Sequence, residues 1–158
     1  MENADLDEKD RKILRALQTE ARLSVIELAE RVHLSPTATA ARVKRLTREG
    51  FLLGYHARLS PEKLDRGLIV FVEVKLDRTS EDVFTAFGAA AKANGDIMEC
   101  HMVAGGFDYL LKTRSADMNA YRDFAGRVLW QLPGVRETRT YAVMEEVKNS
   151  ARLVLPEA

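Results

Sequence analysis

The stretch SVIELAERVHLSPTATAARVKRLTREG, residues 24–50, decides how the N-terminal third is built. Ser24 and Glu27 have capping-box spacing, in which each side chain satisfies the other residue's free backbone amide. They open a helix that carries Leu28 and Ala29 to about Val32. His33-Leu34 reads as a short turn. Ser35-Pro36 then opens a second helix, with serine as N-cap and proline at the first helical position, where its missing N–H is not needed. Val43 and Leu46 face inward, and Gly50 stands where the helix should end. A gap of about three or four residues between two helices is the connection length of a helix-turn-helix.

Upstream, Leu6, Ile13, Leu14 and Leu17 lie on one helical stripe, so residues 6–20 read as a further helix. The formal net charge of the chain is zero, but its distribution is uneven. Residues 1–60 hold 11 basic and 9 acidic residues. Ser35–Gly50 alone holds Arg42, Lys44, Arg45 and Arg48 against one acid, Glu49. Such a cluster on the second helix of the pair has the character of a phosphate-facing surface.

After Gly50 the loose alternation of Phe51, Leu53, Tyr55 and Leu59 reads as a strand leading out, and Ser60-Pro61 to Gly67 as a turn. The predicted division is residues 1–50 as the helix-turn-helix domain, 51–66 as linker strand and turn, and 67–158 as a second domain. There Leu68, Val70, Val72, Val74 and Leu76 alternate without a break, as in a strand with one buried face. A helix from Ser80 to about Asn94 carries Val83, Phe87, Ala90 and Ala91 on one stripe. Ile97–Ala104 and Phe107–Arg114 read as strands joined by a two-residue Gly105-Gly106 hairpin turn. Asp117 caps a helix with Tyr121, Phe124, Val128 and Leu132 inward, Leu132-Pro133-Gly134 stops it, and Val135–Val147 forms a last strand. The fold class is α+β: an N-terminal helix-turn-helix, winged-helix-like domain and a C-terminal ferredoxin-like βαββαβ domain. That sheet has helices on one face only, and the face bearing Ile69 and Phe71 needs cover. A second copy of the same sheet would supply it, so a homodimer is expected.

No apolar run reaches the roughly 18 residues of a membrane span, and the first residues are charged, so neither a membrane partner nor a signal peptide is expected. Cys100, the single cysteine, suits a reducing, cytoplasmic compartment. Enzyme readings find little support: Cys100 and His101 are adjacent on a strand and point to opposite faces, and no metal-ligand spacing or phosphate loop appears.

In order and spacing, several stretches resemble the Lrp/AsnC (feast/famine) family over nearly the whole chain. They are Leu6-Asp7, Asp10, Ile13-Leu14, Leu34-Ser35-Pro36-Thr37, Arg42-Val43-Lys44-Arg45-Leu46 and Gly50-Phe51 in the first half. In the second half they are Asp108-Tyr109-Leu110-Leu111, Leu132-Pro133-Gly134-Val135 and Thr138-Arg139-Thr140-Tyr141. The resemblance implies a bacterial, nucleoid-associated transcription regulator. It would bind double-stranded DNA through the first domain and sense an amino acid such as leucine through the second, with dimers joined into octamers or other assemblies. No further cofactor and no metal are expected.

On this reading the first turn of the third helix enters the major groove, with Ser35, Thr37, Ala38 and Thr39 offering hydroxyls and methyls to base edges and phosphates. Arg42, Lys44, Arg45 and Arg48 flank the Val43–Leu46 stripe as phosphate or guanine ligands. For the effector, Gly105 and Gly106 would let a carboxylate approach backbone amides, and Asp108 would hold its ammonium group. Tyr109 belongs to the same stretch, and Met102, Met118, Tyr141 and Val143 match the family's response positions and would form an apolar wall. Two alternatives stay open: an architectural DNA-binding protein without an effector, and a ferredoxin-like metabolite-binding module or enzyme with an incidental helical domain.

Overall fold

A computed structural model describes residues 6–155, so the outer bounds of both expected domains, residues 1 and 158, lie outside the described residues. The chain divides into two compact units. Among the described residues, 6–58 and 148–155 form one, and residues 59–147 the other.

The first unit is three helices: α1 (Glu8–Thr19), α2 (Val25–Val32) and α3 (Pro36–Arg48). Each start is fixed by chemistry near the cap. Asp7 and Asp10 form a capping box on α1, and Ser24 and Glu27 form one on α2. Ser35 accepts the Ala38 amide at 3.2 Å, with Pro36 at the first helical position. Helix α2 stops at His33, which takes the left-handed conformation at φ 55°. The Lys9 ammonium group donates to the freed Val32 carbonyl at 2.8 Å, placing a cation at the negative end of α2. Ile13, Leu14, Leu17, Leu28, Val32 and Leu46 make the core, each worth roughly 1.5–3 kcal/mol when fully withdrawn from water.

Residues 51–59, expected as a strand, form none; a strand needs a ladder partner, and none pairs with them among the described residues. Residues 148–155 pack with the first unit. The Gln18 carboxamide holds them by both ends, donating to the Leu153 carbonyl at 3.2 Å and accepting the Leu153 amide at 2.7 Å. The Arg15 guanidinium donates to the Leu155 carbonyl at 3.2 Å, and Leu155 packs on the helical core.

The second unit is β1 (Leu68–Leu76), α4 (Glu81–Ala93), β2 (Ile97–Met102), β3 (Tyr109–Ser115), α5 (Met118–Arg127) and β4 (Val135–Ala142). The strands form one sheet in the order β2-β3-β1-β4, all neighbours antiparallel. This is the expected ferredoxin-like arrangement. The Val70, Val72, Val74 and Leu76 face of β1 is buried against Phe87, Ala91, Tyr121, Phe124 and Leu129. The opposite face carries Phe71, Leu110 and a lattice of ion pairs: Lys112 to Glu99 at 2.8 Å, and Arg114 to Glu146 at 3.0 and 3.1 Å.

Two strand readings and one helix reading are corrected. The β2–β3 connection is not a two-residue turn: Met102 pairs with Tyr109, and residues 103–108 form the link. Asp108 explains the widening, because its amide donates to the Val74 carbonyl at 3.0 Å and its carboxylate accepts the Leu76 amide at 2.7 Å. Both bonds tie it to β1. Strand β4 ends at Ala142 rather than Val147, with one further bond from the Val143 amide to the Ile69 carbonyl at 2.9 Å. The last turn towards Leu132 is a separate 3₁₀ turn, Leu129–Gln131, rather than more of α5.

Candidate functional site

On α3 the exposed residues Thr37, Ala40, Ala41, Lys44 and Arg48 follow helical spacing and make one continuous stripe. Ser35 stands exposed at its N-terminal end, and Ala38 is half-buried at its side. Ala40 and Ala41 were absent from the expected set, although their position three and four residues after Thr37 was the available signal. Thr39 is withdrawn from that set. It is 0% exposed, and its hydroxyl donates to the Ser35 carbonyl at 3.0 Å. A side chain sealed against the helical core cannot reach a base edge.

Arg42 and Arg45 lie on the flank of α3 that faces the start of α1. One Arg42 Nη donates to Asp7 Oδ2 at 2.6 Å and to Asp10 Oδ1 at 2.9 Å. Arg45 donates to Asp10 Oδ2, with Glu49 at 3.5 Å on its other Nη. Asp10 itself is 0% exposed. Burial pushes the Asp7 carboxyl up, but the Asp10 amide and the Arg42 guanidinium outweigh it and hold Asp7 below the usual carboxylate range. The bonds to Asp7 and then to Asp10 push Arg42 up, and the bond to Asp10 does the same for Arg45. The signal for this cluster was an acid on an apolar stripe: Asp10 lies three and four residues before Ile13 and Leu14, so once buried it had to be paired with a cation.

In the second unit Met102, Gly105, Gly106, Asp108 and Tyr109 gather where β2 and β3 meet the C-terminal end of β1. Gly105 and Gly106 are exposed, neither has positive φ, and an added Cβ at either would meet nothing within 4 Å. No neighbour within the chain therefore demands glycine there. Tyr109 is corrected from effector ligand to core residue: it is 5% exposed and its ring packs 4.3 Å from that of Phe87. Tyr141, Val143 and Met118 fall elsewhere. Tyr141 pairs with Phe71 and donates to Glu73 at 3.0 Å, Val143 bonds Ile69, and Met118 follows the end of β3 that pairs with Leu68. Ile69 and Val74 are roughly 17 Å apart along β1, so one chain does not assemble the expected eight residues into one pocket.

A helix-turn-helix with a cationic exposed stripe, joined to a ferredoxin-like domain, defines a two-domain DNA-binding regulator. Residues 6–52 match the winged helix-turn-helix DNA-binding family, and residues 69–153 match the Lrp/AsnC ligand binding domain. The chain belongs to the Lrp/AsnC family of transcription regulators and is not an enzyme. It is 56% identical over 151 residues to the leucine-responsive regulatory protein of Escherichia coli K12, covering 96% of this chain and 92% of that one. A Neisseria meningitidis transcriptional regulator solved with L-Met superposes at TM-score 0.89 with 36% identity, over 95% of this chain and 97% of that one. The leucine response regulatory protein of Mycobacterium tuberculosis superposes at TM-score 0.80 with 31% identity, over 96% and 100%. No helix among the described residues is long and apolar enough to cross a membrane.

Proposed function

We propose that this regulator reads double-stranded DNA with the exposed stripe of α3 and that an amino acid, leucine or a relative of similar shape, modulates its binding or assembly. The observation that carries the reading is the stripe itself. Small side chains at Thr37, Ala40 and Ala41 allow close approach to a groove floor, and Lys44 and Arg48 extend from the same side towards phosphates. Ser35 and Ala38 complete the leading end.

The effector site would be built around Gly105, Gly106 and Asp108, with Met102 as apolar wall. Met118, Tyr141 and Val143 would join it from another copy, since one chain holds them apart. The open sheet face, with Phe71 and Leu110, would meet the same face of a second copy in a homodimer, and dimers would join into octamers or other assemblies. The leucine-responsive name of the Escherichia coli relative and the L-Met bound to the Neisseria meningitidis protein support an aliphatic amino acid as effector. A cytoplasmic protein associated with the nucleoid follows from these roles.

The test is a gel-shift titration on a duplex selected by this chain from a randomised pool, with and without leucine or methionine, beside sedimentation of the free protein. Salt-sensitive binding that changes with the amino acid is expected, by a dimer or larger species. Salt-insensitive binding, or a monomer at micromolar concentration, refutes the reading.

A further inference from the structure

We infer that Arg42 and Arg45 are positioning residues, locked with the buried Asp10 into an ion-paired strut that fixes α3 against α1, and are not ligands of DNA. The inference rests on the proposed reading of α3 as the DNA-facing helix and assigns a different task to two of its four cations. Three observations carry it. The DNA-facing stripe of Thr37, Ala40, Ala41, Lys44 and Arg48 does not include either arginine. Both Asp10 oxygens are occupied, one by Arg42 at 2.9 Å and the other by Arg45 and by the Asp7 amide at 3.2 Å. Asp10 has no exposure to water, so an arginine that swung out to a phosphate would leave part of a buried carboxylate without a partner. Leaving a buried charge unpaired costs more than a single solvent-exposed phosphate contact returns.

The strut also links two tasks at one place. The Asp7 and Asp10 carboxylates each accept the other residue's backbone amide, capping α1, and also accept the guanidinium groups of α3. The angle of the reading helix is thereby tied to the start of the first helix. Asp7 closes the cluster from the solvent side and Glu49 meets Arg45 at 3.5 Å, so three carboxylates face two guanidinium groups and leave no net positive charge to offer a phosphate backbone.

The slope of binding against salt separates a strut from a ligand. Each lost phosphate ligand lowers the slope of log K against log salt by about 0.9, or roughly 3.5-fold in affinity across a fourfold change in salt. The slope does not depend on what fraction of a sample is active. With the full chain on the selected duplex, Lys44→Ala should lower the slope by that amount, and Arg45→Gln should leave it unchanged while weakening binding. Asp10→Asn should weaken binding about tenfold although it makes the protein more positive. A slope reduced by about 0.9 in Arg45→Gln, or tighter binding by Asp10→Asn, overturns the strut. If Lys44→Ala also leaves the slope unchanged, the reading of α3 fails first and takes the inference with it. Should Asp10→Asn not fold, Arg45→Gln and Arg42→Gln still decide the matter by slope.

Discussion

Gly134 offers the sharpest quantitative handle on the second unit. It sits just before β4 at φ +73°, and its carbonyl accepts the Asp77 amide at 2.8 Å. An added Cβ would lie 2.6 Å from Val83 Cγ1, where ordinary contact begins near 3.4 Å. Val83 is a buried member of the sheet–helix core, so it cannot simply rotate into solvent. An L side chain in this backbone region costs roughly 1–2 kcal/mol. Forcing a buried neighbour aside by most of an ångström adds roughly 1–3 kcal/mol. Gly134→Ala should therefore destabilise the unit by roughly 3 kcal/mol, with urea unfolding moved down by roughly 1.5 M at a slope of about 2 kcal/mol per molar. Trp130, the single tryptophan of the chain, lies four residues upstream and reports on this unit by fluorescence. Gly88→Ala is the control of opposite sign. Gly88 lies within α4, has no positive φ, and its added Cβ would meet nothing within 4 Å. That variant should gain about 0.5–1 kcal/mol from helix propensity and move the midpoint up. A midpoint for Gly134→Ala within about 0.5 M of the parent would refute the reasoning, because neither the backbone strain nor the overlap would then be real.

Replacing Lys44 and Arg48 together by alanine should lower the salt slope by about 1.8, so that affinity falls roughly twelvefold less than the parent's over a fourfold rise in salt; anisotropy titrations read this directly. The Asp7 carboxyl, held below its usual range, contributes stability that is present above about pH 4 and is lost as the pH falls further. Asp7→Asn keeps an N-cap acceptor but not the charge, so thermal melts by circular dichroism should show a flatter acid limb than the parent. An unchanged acid limb would remove Asp7 from the account. Gln18→Ala should release residues 150–155 from α1, seen as faster proteolysis after Arg152 with the helical content retained. Asp108→Ala should weaken any amino-acid response, but it also removes the acceptor of the Leu76 amide, so calorimetric titration has to be paired with a melt.

Much of the fold was legible because its signals are local. The capping box at Ser24, the Ser35-Pro36 start and the alternating valines of β1 are each readable within a few residues, and each governs hydrogen bonds that close within one turn or one strand. Where pairing depends on distant partners, the reading slipped. The glycine pair suggested a tight hairpin, yet Asp108 is drawn to β1 by bonds that span more than thirty residues. Residues 51–59 have the alternation of a strand, but alternation does not supply a neighbour to pair with.

The candidate sites divide in the same way. The sequence by itself determined that α3 would be a cationic helix behind a tight turn, because periodicity, caps and charge are properties of adjacent residues. Only the tertiary structure decided which of its cations are available. Position along a helix alone cannot say that Arg42 and Arg45 are held by two aspartates more than thirty residues away. The physical reason is burial. Asp10 has left water, a carboxylate in that position must be paired, and the partners it takes are those the packing of α1 on α3 brings within reach.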